Sequence, residues 1–167
     1  MITRFNRLIP FGLGLCLAQA TAAPAAQVLR PDISADGARR LLDATMQACH
    51  AKGKTLAAAV VDRSGNLVTL QRDDEVGPHN TLAAQRKAYT ALSTKTATAQ
   101  LSDNARATPQ TTNLNTVEEL LLLGGGVPIK SGTAVIGAIG VAGAGGPAMD
   151  ESCANAGIDI VFPSTPN

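Results

Sequence analysis

A glycine-rich segment near the carboxyl end, residues 124–157, constrains the fold of this chain more than any other stretch. Within it, residues 134–141 are alanine, glycine and β-branched residues without strict polar alternation, which is typical of a strand buried on both faces. The turn at 130–133 separates this run from residues 127–129, so the two segments are predicted to form a hairpin. Pro147 is predicted to start the last helix, and Gly157 to close it.

The first half of the chain supplies a helix and a second hairpin. Ser34 is the predicted N-cap of the first helix, whose apolar residues recur at helical spacing as far as Cys49. Residues 55–61 and 67–72 are predicted strands, because Asp62–Asn66 between them has the composition of a tight turn. The second strand alternates apolar and polar residues, so it is predicted to be half exposed.

The middle of the chain is predicted to hold a second helix over 81–97, a long polar loop over 98–115 and a short helical turn over 116–123. Hairpins and helices therefore follow one another without regular βαβ alternation. This order predicts an α+β fold, in which helices pack on a central antiparallel sheet.

The first 22 residues have the features of a secretory signal peptide. Arg4 and Arg7 precede an apolar run over 8–17, and Ala20–Ala22 offers small residues at a cleavage site. The apolar run is too short to span a bilayer. These features predict export to the periplasm or secretion.

The mature chain is predicted to comprise a linker, residues 23–32, and a single domain, residues 33–167. No apolar run in it reaches membrane-spanning length, so no membrane span is expected after signal removal. The formal net charge of the full sequence is +1, and only 2% of its residues are aromatic. Without a basic cluster or an aromatic stacking platform, nucleic acid is not an expected partner.

Signal removal takes Cys16 away and leaves Cys49 and Cys153. Two cysteines in an oxidising compartment can form a disulfide. Two separately buried thiols are the alternative, because free cysteine is among the most buried residue types. A metal site at these cysteines lacks the CxxC spacing.

Motifs for catalysis are missing from the sequence. Residues 143–148 match the dinucleotide fingerprint G-x-G-x-x-G/A, but no βα unit with an acidic residue follows, and turn geometry explains these glycines. The chain has no G-x-S-x-G elbow and no two-histidine metal spacing. An acidic loop at Asp73–Glu75 is more often solvated than a cation site.

His79 is the histidine with a candidate binding role. It lies beside a predicted helix that carries Arg86, Lys87 and Tyr89. Imidazole is a common axial haem ligand, and arginine or lysine pairs with propionates. A solvated histidine near a helix start is the alternative, and the scarcity of aromatic residues argues against a haem pocket. The candidate binding residues are His79, Arg86, Lys87, Tyr89 as the second choice for the iron, and the backbone of Gly124, Gly125 and Gly126.

The chain from Ile33 to Gly157 resembles the GlcG/HbpS-type family, which also supplies the C-terminal domain of PduO proteins. The segments that carry the resemblance are Ala58–Asp62, Gly65–Leu67, Arg72–Asp74, Arg86–Ala91, Gly124–Ile129 and Gly137–Gly143, with Asp150, Cys153, Ala154, Ala156 and Gly157. The resemblance implies a profilin-like fold with the first and last helices on one face of the sheet. That arrangement brings Cys49 and Cys153 together and favours the disulfide.

The resemblance also implies homo-oligomers and haem binding, and some relatives are linked to haem degradation or redox sensing. We therefore expect an exported domain that binds a small ligand, with haem as the first candidate and no catalysis required. Two alternatives remain open. One is a periplasmic enzyme acting on haem or on a small organic acid. The other is a non-catalytic accessory subunit for a periplasmic protein partner.

Overall fold

The computed structural model describes residues 28–163, so the predicted signal peptide lies outside the described residues. The helices are α1 (Ala35–His50), α2 (His79–Thr94), α3 (Thr98–Ala107), α4 (Pro109–Thr112) and α5 (Pro147–Val161), and a 3₁₀ helix spans Asn113–Thr116. The strands are β1 (Ala57–Asp62), β2 (Leu67–Arg72), β3 (Gly126–Ser131) and β4 (Ala134–Ala142). They form one antiparallel sheet in the order β2-β1-β4-β3, which confirms the predicted α+β class and both hairpins.

Helices α1 and α5 cover one face of the sheet, as the resemblance implied. This face carries the larger aliphatic side chains of the strands, namely Val60, Val127, Ile129, Ile139 and Val141, which pack against Leu41, Leu42 and Met46. A disulfide between Cys49 and Cys153 joins the two helices. The Ser34 hydroxyl accepts a hydrogen bond from the Gly37 amide at 3.0 Å, which confirms the predicted N-cap of α1.

Helix α2 covers most of the opposite face, where the strands present mainly small residues. The small residues of β1 and β4 on this face are Ala57, Ala59, Ala138, Gly140 and Ala142. They pack against Ala84, Ala88 and Ala91 of α2. A Cβ atom on Gly140 would overlap the carbonyl oxygen of Ala84. Glycine at this position therefore allows α2 to rest directly on the backbone of the sheet.

Several predicted elements differ from the structure. The predicted loop over 98–115 is largely helical, because Leu101 and Ala105, one turn apart, supply a small buried face that the polar composition conceals. The predicted helical turn over 116–123 is instead a turn at 117–120 followed by irregular chain. Gly157 does not close α5, which runs on to Val161. A Cβ there would overlap the Thr45 hydroxyl, so glycine lets α1 approach α5.

Helix α2 also differs from the prediction, because it begins and ends earlier than 81–97. Its first residue is His79, and its C-cap Lys95 adopts the left-handed conformation with φ of 56°. Within residues 28–163, no helix is long and apolar enough to cross a membrane.

Candidate functional site

The outward face of α2 presents one stripe of side chains beside the turn between β1 and β2. His79, Leu82, Arg86 and Tyr89 follow one another at intervals of three or four residues, so they lie on the same side of the helix. Leu82 is 59% exposed, so this side of α2 presents apolar surface to solvent. Part of this stripe forms the walls of two surface clefts.

Tyr89 packs against the turn between β1 and β2. Gly65 in this turn has φ of 88°, and a Cβ there would lie 2.8 Å from Cε2 of the Tyr89 ring. The carboxylate of Asp62 holds the turn by accepting hydrogen bonds from the amides of Ser64 and Asn66 at 2.8 and 2.9 Å. Burial raises the pKa of Asp62, but the hydrogen bonds from this turn outweigh burial and hold the pKa below its usual value.

Two clefts flank the contact between Tyr89 and Gly65, and both residues line both clefts. We define the acidic cleft, of about 530 Å³, by the further residues Leu82, Gln85, Arg86, Glu118 and Glu119. We define the basic cleft, of about 290 Å³, by the further residues Arg30, Arg63, Ser64, Leu92, Ser93, Lys95 and Val135. Among the described residues, no aspartate or glutamate lines the basic cleft.

Arg86 builds one wall of the acidic cleft. Its Nη2 donates hydrogen bonds to the carbonyl oxygens of Glu118 and Leu120 at 2.5 and 2.7 Å. One turn further along α2, the Thr90 hydroxyl accepts a hydrogen bond from the Leu121 amide at 2.8 Å. These bonds fix the chain that follows the 3₁₀ helix against α2. Arg86 Nε is buried and has no hydrogen-bond partner among the described residues.

Lys87 points into the protein, away from both clefts. The side chain is 1% exposed, and Nζ lies 2.7 Å from Asp150 Oδ2 and 2.9 Å from the Val141 carbonyl oxygen. Asp150 Oδ1 accepts a hydrogen bond from the Ala144 amide at 2.9 Å, so the ammonium group and the carboxylate each have a further hydrogen-bond partner in addition to one another. The spacing of Lys87 with the inward-facing alanines 84, 88 and 91 is the sequence signal for this orientation.

The turn at Gly124, Gly125 and Gly126 is buried beneath α2 and α3 and lines neither cleft. The Thr98 hydroxyl accepts a hydrogen bond from the Gly126 amide at 2.8 Å and donates one to the Leu123 carbonyl oxygen at 2.7 Å. The Gly126 amide, predicted as a ligand donor, is therefore bonded within the protein.

His79 lies apart from the clefts. It is exposed as the first residue of α2, and its imidazole turns back over Gly77, where a Cβ would lie 3.0 Å from its Cε1 atom. Ten residues separate it from Tyr89, which is about 15 Å along the helix at 1.5 Å per residue. Nowhere in the described part of the chain do three or more His, Cys, Asp or Glu residues form a potential metal site.

The three cations of the basic cleft, Arg30, Arg63 and Lys95, are not among the residues predicted from the sequence. They come from the segment before α1, the β1–β2 turn and the end of α2, so only the fold brings them together. The one local signal was the position of Arg63 in a strong turn sequence, which indicates exposure and not a binding role.

Comparison with known proteins identifies the family. The sequence model described as "Haem degrading protein HbpS-like" matches residues 33–159. The chain belongs to the HbpS-like family. The crystal structure of a double mutant of HbpS from Streptomyces reticuli is similar over 86% of this chain and 96% of that one, with 31% identity and a TM-score of 0.77.

Two further structures share the fold at lower identity. Protein ORFY of Klebsiella pneumoniae is 24% identical over 86% of this chain and all of that one, with a TM-score of 0.78. The PduOC–haem complex is 23% identical over 81% of this chain and 99% of that one, with a TM-score of 0.71. These likenesses confirm the predicted fold.

A curated relative is the uncharacterised 15.0 kDa protein of the dhaT–dhaS intergenic region of Citrobacter freundii. It is 32% identical over 87 residues, which make up 51% of this chain and 61% of that protein. The match thus spans about three fifths of the length of this relative.

Proposed function

We propose that this protein is an exported haem-binding protein whose ligand lies across Tyr89 on the outward face of α2. The observation that carries the proposal is the contact between Tyr89 and Gly65, which places an aromatic ring between two clefts of opposite charge. Membership of the HbpS-like family supports haem as the ligand. The haem complex of PduOC, which shares the fold, agrees with this choice.

The residues at this site fit the chemistry of haem. Tyr89, Leu82 and Leu92 supply aromatic and apolar surface for the macrocycle, and the basic cleft supplies cations for carboxylates. The Tyr89 hydroxyl makes no hydrogen bond to another described residue, and tyrosine is an established axial ligand of haem iron. We therefore place Tyr89 first and His79 second as the residue facing the iron. Bound haem would supply a redox-active iron at this surface.

A second copy of the chain would complete the site. Both clefts open to solvent, and the exposed Leu82 leaves apolar surface at the edge of α2. An oligomer that covers this edge would shield the macrocycle from water. We therefore include homo-oligomer formation in the proposal.

Export is the remaining part of the proposal. The Cys49–Cys153 disulfide supports it, because disulfides persist in oxidising compartments such as the periplasm and the extracellular space. The signal-like sequence at residues 1–22 supports it independently.

The test is a haem titration of the purified protein, followed by Soret absorbance, with Tyr89→Phe, Tyr89→Ala and His79→Ala beside the wild type. The wild type should show a saturable shift. Tyr89→Phe, which keeps the ring and removes the hydroxyl, should change the Soret position. Tyr89→Ala should also raise Kd about tenfold or more, because it removes the apolar surface. His79→Ala should resemble the wild type.

Two results would contradict the proposal. No saturable Soret shift in the wild type would refute haem binding. If the Soret shift were lost in His79→Ala and kept in both Tyr89 variants, the iron would be assigned to His79 at the start of α2.

Haem degradation is the second candidate function, and the description of the family supports it. Its test is decay of the Soret band of the haem-loaded protein after a reductant is added in air. Decay faster than for free haem under the same conditions favours an enzyme, whereas a stable band favours a binding protein.

A further inference from the structure

We propose that the basic cleft is the carboxylate-binding end of the ligand site, where Arg30, Arg63 and Lys95 hold the propionates of haem. The inference rests on the proposed function and adds the direction in which the ligand lies. The carboxylates would occupy the basic cleft, and the apolar edge of the macrocycle would extend over Tyr89 toward Leu82. The composition of the basic cleft supports this orientation, because the cleft combines three cations with the apolar surface of Leu92 and the Tyr89 ring.

Arg63 is held in place for this role. Its Nη1 donates hydrogen bonds to the carbonyl oxygens of Val135 and Pro31 at 3.1 and 3.3 Å, and Asp32 Oδ1 accepts one from its backbone amide at 2.9 Å. Its Nη2 and Nε donate to no other group among the described residues. An anchored guanidinium with free N–H groups suits carboxylate binding, because little side-chain freedom is lost when the ligand arrives.

Lys95 has a different function at the end of α2. The carboxyl end of a helix carries a partial negative charge, which would repel a carboxylate. Lys95 is the C-cap residue, so its ammonium group offsets that charge at the edge of the cleft. Replacing Lys95 by a neutral residue should therefore weaken anion binding in two ways. It removes a cation from the cleft, and it leaves the negative carboxyl end of α2 without a compensating charge.

The acidic cleft makes the charge distribution around Tyr89 asymmetric. Glu118 and Glu119 line it on the other side of Tyr89, and the Arg86 Nη2 group is already engaged by the Glu118 and Leu120 carbonyl oxygens. A propionate there would meet two carboxylates beside the single cation Arg86, whereas in the basic cleft it meets three cations and no carboxylate among the described lining residues. The charges on the two sides of Tyr89 thus favour one orientation of an amphipathic ligand.

The experiment is a thermodynamic cycle between the protein cations and the ligand carboxylates. Arg30→Gln and Lys95→Asn are combined, since asparagine tolerates the left-handed conformation at 95. Arg63 is left intact because its hydrogen bonds hold the chain before α1. Lys54→Gln is the matched control, because this exposed lysine precedes β1 and lies at the strand end opposite the β1–β2 turn. Each protein is titrated with haem and with haem dimethyl ester, in which both carboxylates are blocked.

The double variant should bind haem about tenfold more weakly than the wild type, as expected for two exposed ion pairs. It should bind the dimethyl ester within twofold of the wild type. The wild type should prefer haem over the ester by at least this factor, because the ester also loses the interaction with Arg63, and the control should match the wild type with both ligands. Added salt should weaken haem binding more than ester binding.

The outcomes separate this inference from the proposed function. Haem affinity unchanged in the double variant would refute the basic cleft as the carboxylate site and leave haem binding intact. An equal loss of affinity for haem and for its ester in the double variant would also refute it. The cations would then support the fold or contact the macrocycle, and would not bind the carboxylates. A wild type without any Soret shift would refute the proposed function together with the inference.

Discussion

The two faces of the sheet are packed by opposite means, although the same four strands supply both. On the α1 and α5 face, valine and isoleucine side chains fill the interface and the Cys49–Cys153 disulfide closes it. On the α2 face, alanine and glycine let the helix backbone rest on the strands, and the buried Lys87–Asp150 pair joins α2 to α5. One face depends on side-chain volume and the other on close backbone fit.

This difference explains where the site lies. A helix seated on glycine has little room to shift, so α2 holds Tyr89 in a fixed position relative to the β1–β2 turn. The outward side of α2 is then free to carry exposed residues such as Leu82. We infer that the α2 face positions the ligand site, whereas the α1 and α5 face contributes to stability without contacting the site. The predictions below test this division.

The largest effect is expected for Lys87→Met. It leaves the Asp150 carboxylate buried without its cation, and the loss of a buried partner typically costs about 3 to 5 kcal/mol of unfolding free energy. Because α2 would loosen, haem affinity should fall as well. Urea unfolding and a Soret titration of the same samples measure the two effects.

A second substitution checks the cause. In Lys87→Met with Asp150→Asn, the neutral amide can still accept from Ala144 and no unpaired charge is left buried, so most of the lost stability should return. Lys130→Met, at an exposed lysine, is the control and should change stability little. A Lys87→Met protein as stable as the wild type would show that the pair does not hold α2.

A smaller effect on stability, and none on the site, is expected when the disulfide is removed. Cys49→Ala with Cys153→Ala opens a link across 104 residues, which should lower the unfolding free energy by about 2 to 5 kcal/mol. The clefts lie on the other face of the sheet, so haem affinity in the folded variant should equal that of the wild type. Haem affinity that falls together with stability would contradict the division between the two faces.

Sequence patterns predicted the fold better than they predicted the site, and particular residues show why. The hairpins and the Ser34 cap depend on local signals, whereas α3 was missed because its buried face consists of Thr98, Leu101 and Ala105 among polar neighbours. Lys87 was predicted to face the ligand, although its spacing with three alanines indicates the core. The basic cleft was missed because its cations come from three separate segments, which meet only in the folded chain.

The most direct test of the account uses the fact that Tyr89 is the only tyrosine in the sequence. Its nitration by tetranitromethane is followed by mass spectrometry with and without saturating zinc protoporphyrin, a redox-inactive analogue of haem. If the ligand lies across Tyr89, the bound porphyrin should slow nitration several-fold in the wild type. Saturated protein in which Tyr89 is nitrated as fast as in the free protein would contradict the proposed position of the ligand.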